Sequence, residues 1–567
     1  MKKIFVLVSL VFIIVFTGCS GKTEAKKTAD SDIAKKYAPE NTVAMLRFSS
    51  AQKLFTTFGA GPDSFMGEPV PADRSEVVEV LGFDPMNPAE YDKAGLDINR
   101  EFGIVVSGLN IKGNEGEETS ADIDILFPVT DGQKAYTRLK EVINSKKDET
   151  TTVTEENGML IIIKSGEEDV KVTVKNDAAY LVFRMAFNSA STAQDVFAAG
   201  KKLADNPNYK ETASSVNIGS DIGFYIDFKN LFMNNEEALK KLSLNPVFAE
   251  NNIKSLEYMK YYRGAGFSVD LEKSDFAVNM AAYIDAGNPF QKMIENVKAD
   301  RSVVLGMKKN PALLFSAFLN ASEYMSFILE TLPLETKQSY EQELVNIKNQ
   351  TGIDLKTEII DQLAGSINLG MYDGSTINMM NYNTVLNFNV KDPGAFIATL
   401  EKIGPMANMT KADPAQTFTD IEIGGNVSVY SVNIQMMMAY IVIDGNNVSF
   451  CTSKEMAADA LNKKDKPFTD NIDGELKKQL ENDQSCLYLD IDETYIAAKS
   501  IYQFFVGISG GESIIDAKTD AFAGKFDYLY AGGEWKGEKA ESRLVLKTRF
   551  SKPFFIALQE EIAKLKQ

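Results

Sequence analysis

The apolar positions of this chain follow two rhythms. Period-two runs such as Val170 to Val174 and Val427 to Tyr430 predict half-buried strands, and stripes at three- and four-residue spacing such as Phe396, Leu400 and Ile403 predict helices packed on them. Strands follow one another through short turns, which predicts an antiparallel α+β arrangement rather than a parallel doubly wound sheet.

The order of these elements is repeated. Thr42-Val-Ala-Met-Leu followed by Ser50 to Phe58 has a counterpart 260 positions later in Ser302-Val-Val-Leu-Gly followed by Asn310 to Phe318. Both read as a strand running into a helix, with Ser50 and Asn310 as N-caps and Pro311 at the first helical position. Gly95-Leu-Asp97 then matches Gly352-Ile-Asp354, and Phe127 to Asp131 matches Phe388 to Asp392, each leading into a helix (Leu139 and Val142; Leu400 and Ile403). Turns near Asn176-Asp177 and Asp444-Gly445 correspond, as do Phe224 to Asp227 and Leu487 to Asp490, and each copy closes on Pro289-Phe290 or Pro553-Phe554 before a helix. The shared order at offsets of 257 to 268 predicts two tandem related modules, each a mainly antiparallel sheet with packed helices, over 38–299 and 300–567. The copies differ after their first helix, where 59–73 is a Gly/Pro-rich loop and 322–348 is helical in composition.

The N-terminus changes the picture. Lys2 and Lys3 precede a mostly apolar run, Ile4 to Phe16, of 13 residues, too short for the roughly 20 residues that span a bilayer. The run ends in Phe16-Thr-Gly-Cys19, which resembles a bacterial lipobox, with Phe16 where Leu is usual. The resemblance implies that residues 1–18 are a lipoprotein signal peptide and that Cys19 is acylated, so that the chain contacts a membrane through its N-terminal lipid. Residues 19–37, poor in large apolar side chains, are expected to be a flexible tether, and the body is expected to lie outside the cytoplasm, facing the periplasm or at the cell surface.

Composition then excludes chemistry. There is no histidine in 567 residues, so no Ser-His-Asp or Cys-His catalytic set and no His-ligated metal site can form. The formal charge is −19, and −21 once Lys2 and Lys3 leave with the signal peptide. An acidic surface repels phosphate backbones and anionic headgroups, so nucleic acid is not an expected partner. Of three cysteines, Cys451 and Cys486 remain after lipidation, either as a disulfide or as two buried thiols.

The remaining motifs weigh lightly. Gly507-Ile-Ser509-Gly-Gly511 fits the nucleophile elbow but follows a helical stretch, Tyr495 to Val506, rather than a strand. Ser50-x-x-Lys53, with Ser215-Val-Asn217 and Lys164-Ser-Gly166, imitates a His-free Ser/Lys hydrolase in the wrong order; an N-cap serine followed by a surface lysine explains it. Gly21-Lys22-Thr23 lacks the leading glycine of a phosphate loop. Asp122/Asp124 and Asp490/Asp492 place carboxylate pairs that could hold Ca²⁺ but are more simply solvated strand faces and caps. Methionines cluster in the second copy: Met379, Met380, Met406, Met409, Met436, Met437 and Met438. Thioethers can bind Cu(I) or form an adaptable apolar surface, and core packing is the default.

Openings of the type Ala38-Pro-Glu-Asn-Thr-Val, the segment Thr351 to Ser366 and the Lys391-Asp-Pro393 helix start together resemble a family of bacterial envelope lipoproteins known only as a domain of unknown function. That resemblance covers most of the mature chain, implies fold and location, and brings no catalytic residues. The sequence therefore predicts an anchored, non-enzymatic binding module without cofactor or metal, taking an apolar ligand or an envelope protein across the face between its copies. A structural or assembly factor without small ligand, and a His-free Ser/Lys hydrolase, are the alternatives.

Overall fold

Apart from a two-residue strand pair, Ser64–Phe65 with Glu68–Pro69, alternating β-branched, aromatic and polar residues build ten strands among the described residues of the first half of the chain: β1 (Thr42–Phe48), β2 (Phe102–Asn110), β3 (Ser120–Pro128), β4 (Thr151–Glu156), β5 (Met159–Lys164), β6 (Val170–Asn176), β7 (Tyr180–Phe187), β8 (Ile222–Asp227), β9 (Tyr262–Val269) and β10 (Phe276–Ile284). The computed structural model describes residues 31–566 except 59–63, 66–67, 70–86, 111–119, 147–150, 165–169, 188, 234, 236–258, 295–296, 298–299, 319, 333, 373–382, 425, 435–436, 463–465 and 510–514. Every pairing in this half is antiparallel, in the order β10-β9-β8-β1-β2-β3-β7-β6-β5-β4. Helices α1 (Ala51–Phe58), α2 (Gly132–Lys146), α3 (Pro207–Val216) and α4 (Phe228–Met233) accompany them.

The second half holds α5 (Pro289–Ile294), α6 (Ser302–Gly306), α7 (Ala321–Thr331), α8 (Leu334–Thr351), α9 (Pro393–Ile403), α10 (Gly474–Asn482) and α11 (Ile491–Ser509). Its strands are β11 (Pro311–Phe318), β12 (Leu363–Tyr372), β13 (Asn383–Val390), β14 (Met409–Ala412), β15 (Val427–Ile434), β16 (Met437–Asp444), β17 (Asn447–Cys451), β18 (Ser485–Asp490), β19 (Phe526–Lys536) and β20 (Lys539–Thr548). They pair antiparallel in the order β20-β19-β18-β11-β12-β13-β17-β16-β15-β14. Counted from the first strand of each half, the two orders are the same. The last helix is α12 (Phe554–Lys566). The fold is α+β, with extensive antiparallel pairing and many helices.

Two compact units result. Among the described residues the N-terminal unit comprises 31–285 with 550–566, and the C-terminal unit 286–549. The units thus depart from the sequence modules at their ends, since α12 lies with the N-terminal unit and α5 with the C-terminal one. In the N-terminal unit one sheet face packs Met45, Val105, Leu126, Tyr180 and Tyr225 against Tyr209, Ala213 and Val216 of α3. The opposite face packs Phe183 and Leu181 against Phe55 of α1 and Tyr136 and Leu139 of α2. In the C-terminal unit Leu314, Tyr488 and Tyr530 meet Leu476 and Leu480 of α10, and Phe396 and Leu400 of α9 meet Tyr430 and Ile443.

Several expected correspondences have the same local physics in both units. Gly95 and Gly352 both take positive φ, 74° and 72°, after a helix, and Leu96 and Ile353 beside them are buried. Asp131 accepts from Lys134 N and Asp392 from Ala395 N, capping α2 and α9. Buried Tyr225 and Tyr488 donate to Asp227 and Asp490, whose other oxygens accept from Asn230 N and Glu493 N at the starts of α4 and α11.

Three expectations are corrected. Ser302–Gly306 is a helix rather than a strand, and Pro311–Phe318 is a strand rather than a helix. Pro311 stands at the first strand residue, a position where the missing amide is tolerated, so the counterpart of Ser50 is Asn320, which caps α7 by accepting from Glu323 N. Residues 31–37 are also not tether. Ile33 and Tyr37, one turn apart in a π-helical turn, are buried, Ile33 N and Ser31 Oγ both donate to Glu101, and Tyr37 lies 4.7 Å from Tyr180.

Candidate functional site

Strand register places an apolar row across the middle of the C-terminal unit. Leu487 pairs with Phe315, Phe315 with Leu369, and Leu369 with Leu386, and the row continues through Ala531 to Leu544. Side chains alternate faces along each strand, so the neighbouring row, Tyr530, Tyr488, Leu314, Gly370, Val385 and Cys451, points the other way and is buried. Gly370 belongs there because the Tyr372 ring occupies the place of its side chain, 2.5 Å from where a Cβ would sit. The Leu487 to Leu386 row is not sealed in this way. Phe315, on a strand paired along both edges, is 42% exposed.

Helix α11 crosses this face. Ala497 and Ile501 pack against Ala312 and Met371, and Thr494 Oγ1 donates to Ala312 O at 2.8 Å. Beyond that seam α11 exposes Ile496 and Phe505, α7 exposes Tyr324, and α8, which has no buried residue, exposes Leu334 and Val345. Among the described residues, nine of the ten exposed large hydrophobic side chains lie in the C-terminal unit, the exception being Ile163. The matching row of the N-terminal unit, Phe267, Phe224, Leu46, Ile104 and Ile125, ends on buried Phe183, and none of its members is as open as Phe315. Phe315 is thus a large apolar side chain left open on an internal strand of the unit.

The methionines divide. Met409 packs against the Phe396–Leu400 cluster, whereas Met406 and Met438 are 54% and 47% exposed at the β14–β15–β16 end, with exposed Ile434 nearby in the β15–β16 hairpin. Met437 pairs with Ile434 in that hairpin, and Met379, Met380 and Met436 lie outside the described residues, as does Cys19. Sequence reasoning found this end of the unit through its thioethers but missed the Phe315 row, which has no compositional signal; only register aligns its members.

Cys451 and Cys486 are separate buried thiols, on β17 and β18 with β11, β12 and β13 between them. At about 4.8 Å per strand that separation excludes a disulfide. Burial pushes both thiols up, Cys486 to about 11, so neither is a nucleophile at neutral pH.

The Ser/Lys lead dissolves into helix ends. Ser50 Oγ accepts from Lys53 N at 3.1 Å as the cap of α1. Lys53 Nζ is ion-paired with Asp221 at 2.7 Å and Glu272 at 2.8 Å, and these partners outweigh partial burial and hold the ammonium above its ordinary pKa. A lysine held in that state is no general base. Ser215 shares a hydrogen bond with Tyr283, Asn217 is the left-handed C-cap of α3, and Ser165 and Gly166 lie outside the described residues. Gly507 and Ser509 end α11, with no preceding strand, and Gly21-Lys22-Thr23 is also outside the described residues.

The carboxylate pairs are engaged. Asp124 receives two 2.7 Å bonds from Arg184, and Asp122 accepts from Ser191 and lies 3.8 Å from the same guanidinium. Asp490 caps α11, and Asp492 is on that helix rather than on the strand, paired with Arg549 at 2.7 Å.

No family model and no curated protein matches the chain. Among solved structures, crystal forms IV, III and I of TP0453 align at 9%, 10% and 8% identity over 44%, 50% and 48% of this chain and 81%, 90% and 88% of theirs, with TM-scores of 0.23, 0.22 and 0.23. A likeness at that level carries no argument for fold or function.

Proposed function

We propose that this chain is a non-enzymatic lipoprotein, anchored to a bacterial membrane through Cys19 on its extracytoplasmic side, whose two tandem related modules support an apolar binding surface on the C-terminal unit. The common strand order, the paired glycine turns and the matching Tyr-x-Asp caps support the duplication, and the likeness of Ala38 to Val43 and Thr351 to Ser366 to the envelope lipoprotein family supports the location.

The observation that carries the binding reading is Phe315, at the centre of a row of apolar side chains across the sheet and left open to solvent. The row offers no hydrogen-bonding side chain, and both edges of β11 are paired, so a peptide cannot add as a strand there. An alkyl ligand needs neither and gains about 25 cal/mol per Å² buried. A protein partner without small ligand is the second reading, favoured by α8, whose Leu334 is 69% exposed.

Native mass spectrometry with lipid extraction on the mature protein purified from its own envelope tests the proposal. A retained lipid mass, absent from Phe315→Glu at unchanged melting temperature, is expected. A clean apo mass in both overturns it and turns attention to α8.

A further inference from the structure

The unit boundaries separate two helices from the strands they follow in sequence, and each is held in the same manner. In the N-terminal unit, α12 lies on α1 and on the hairpin of β9 and β10. The Phe555 ring is 4.8 Å from Phe58 of α1 and 5.8 Å from Phe276 of β10, with Phe554 5.5 Å from Phe276. Phe554 N donates to Lys273 O in the β9–β10 turn at 2.8 Å, and Gln559 Nε2 donates to Thr57 O at 2.9 Å, one of the carbonyls that α1 leaves without a helical partner. Phe554 and Ala557 are buried.

In the C-terminal unit, α5 lies on α7 and on the hairpin of β19 and β20. Phe290 is 5.4 Å from Phe327 of α7 and 5.7 Å from Trp535 at the end of β19, and Gln291 Nε2 donates to Gly537 O in the β19–β20 turn at 3.0 Å. Met293 O accepts from Asn320 N, beside the cap of α7. In each case a helix that opens on Pro-Phe seats its first aromatic on the last hairpin and adds a glutamine bond to a backbone carbonyl.

We infer that α1 and the β9–β10 hairpin form a helix-docking site on the N-terminal unit whose occupant is the amphipathic segment 553–566 of this same chain, held as a separable piece by aromatic packing, one main-chain bond and one glutamine bond, and that α5 fills the equivalent site on the C-terminal unit. The contacts described above are aromatic packing and two hydrogen bonds, and α12 is a helix that contributes no strand to its unit, so α12 is able to leave without breaking the β-ladders of its unit. Its departure uncovers Phe58, Phe276 and the C-terminal carbonyls of α1. The inference does not depend on the ligand reading, since it concerns a different surface.

The test uses the full mature chain, a version ending after Arg549, and a synthetic peptide of residues 550–567, followed by hydrogen exchange. Removal of 550–567 is expected to accelerate exchange in α1 and β10 at least about tenfold, to leave β11 to β19 and the emission of Trp535 unchanged, and to be reversed by the peptide in trans. Full-chain Phe555→Ala, which keeps the connection intact, is expected to give the same pattern at smaller amplitude should the shortened chain fail to fold. Acceleration spread evenly over both units, or none at α1 in either variant, overturns the inference.

Discussion

Asp483 is buried at the end of α10, where Tyr530 donates a hydrogen bond to it and Arg301, Arg543, Glu534 and Cys486 supply the surrounding charge and thiol. Burial pushes its pKa up to about 7, against the Tyr530 bond and the nearby arginines. In the unfolded chain the same group titrates near about 4. The folded state therefore holds the proton more tightly between those values, so the stability contributed by neutral Asp483 is full below about pH 4 and is lost as pH rises towards about 7. This is the reverse of the usual carboxylate. Asp483→Asn is expected to flatten that slope and to be more stable than the parent at pH 8 by on the order of 1–2 kcal/mol. Urea midpoints at pH 4.5 and 8, read through Trp535, check it; parallel slopes for both proteins would count against it. Nothing in the sequence marks Asp483, because an aspartate after a helix reads as solvated until the fold puts Tyr530 over it.

At the scale of elements, the two units fill one row differently. The row that reads Tyr488, Leu314, Gly370, Val385, Cys451 in the C-terminal unit reads Tyr225, Met45, Val105, Asp124, Arg184 in the N-terminal unit. A buried ion pair thus stands where its counterpart has a valine and a thiol. Breaking such a pair leaves an uncompensated charge and costs about 3–5 kcal/mol, whereas replacing both partners by apolar residues is often neutral or stabilising. Asp124→Ala is expected to lower stability by that amount, and the double change Asp124→Val with Arg184→Cys to recover most of it; denaturation of the three proteins decides. The segment at 31–37 makes a second case. Its composition, with two large apolar residues among Ser31, Asp32, Ala34, Lys35 and Lys36, hides that Ile33 and Tyr37 share one helical face and enter the core. A chain starting at Ala38 is expected to unfold well below one starting at Ser31, since loss of Ile33 alone is worth about 2–5 kcal/mol. Thermal melts of the two versions test it. Caps and glycine turns were legible because their chemistry is local. The exchange of helix and strand at 302–318 was not, because Val303-Val304 has β propensity and Pro311 suits a helix start as well as a strand start, so only tertiary packing chooses between them.

For the molecule as a whole, the proposed anchor and the charge act against each other. A chain at −19 is repelled by anionic headgroups, and among the described residues no helix is long and apolar enough to cross a membrane. If Cys19 carries the anchor, only 20–30 separate it from the packed segment that begins at Ser31, a reach of at most about 40 Å at 3.3–3.6 Å per residue. On that proposal the acyl chains hold the protein at the membrane, and the acidic balance of the chain adds no attraction to anionic headgroups. The native protein is expected to partition into the detergent phase on Triton X-114 extraction, and Cys19→Ala into the aqueous phase with its melting temperature unchanged. Raising salt from 50 to 500 mM is expected to leave both distributions as they are, because acyl-chain insertion is not an electrostatic contact that salt screens. Detergent partitioning that survives in Cys19→Ala would place the anchor elsewhere, and the exposed apolar face around Phe315 would be the first surface to examine.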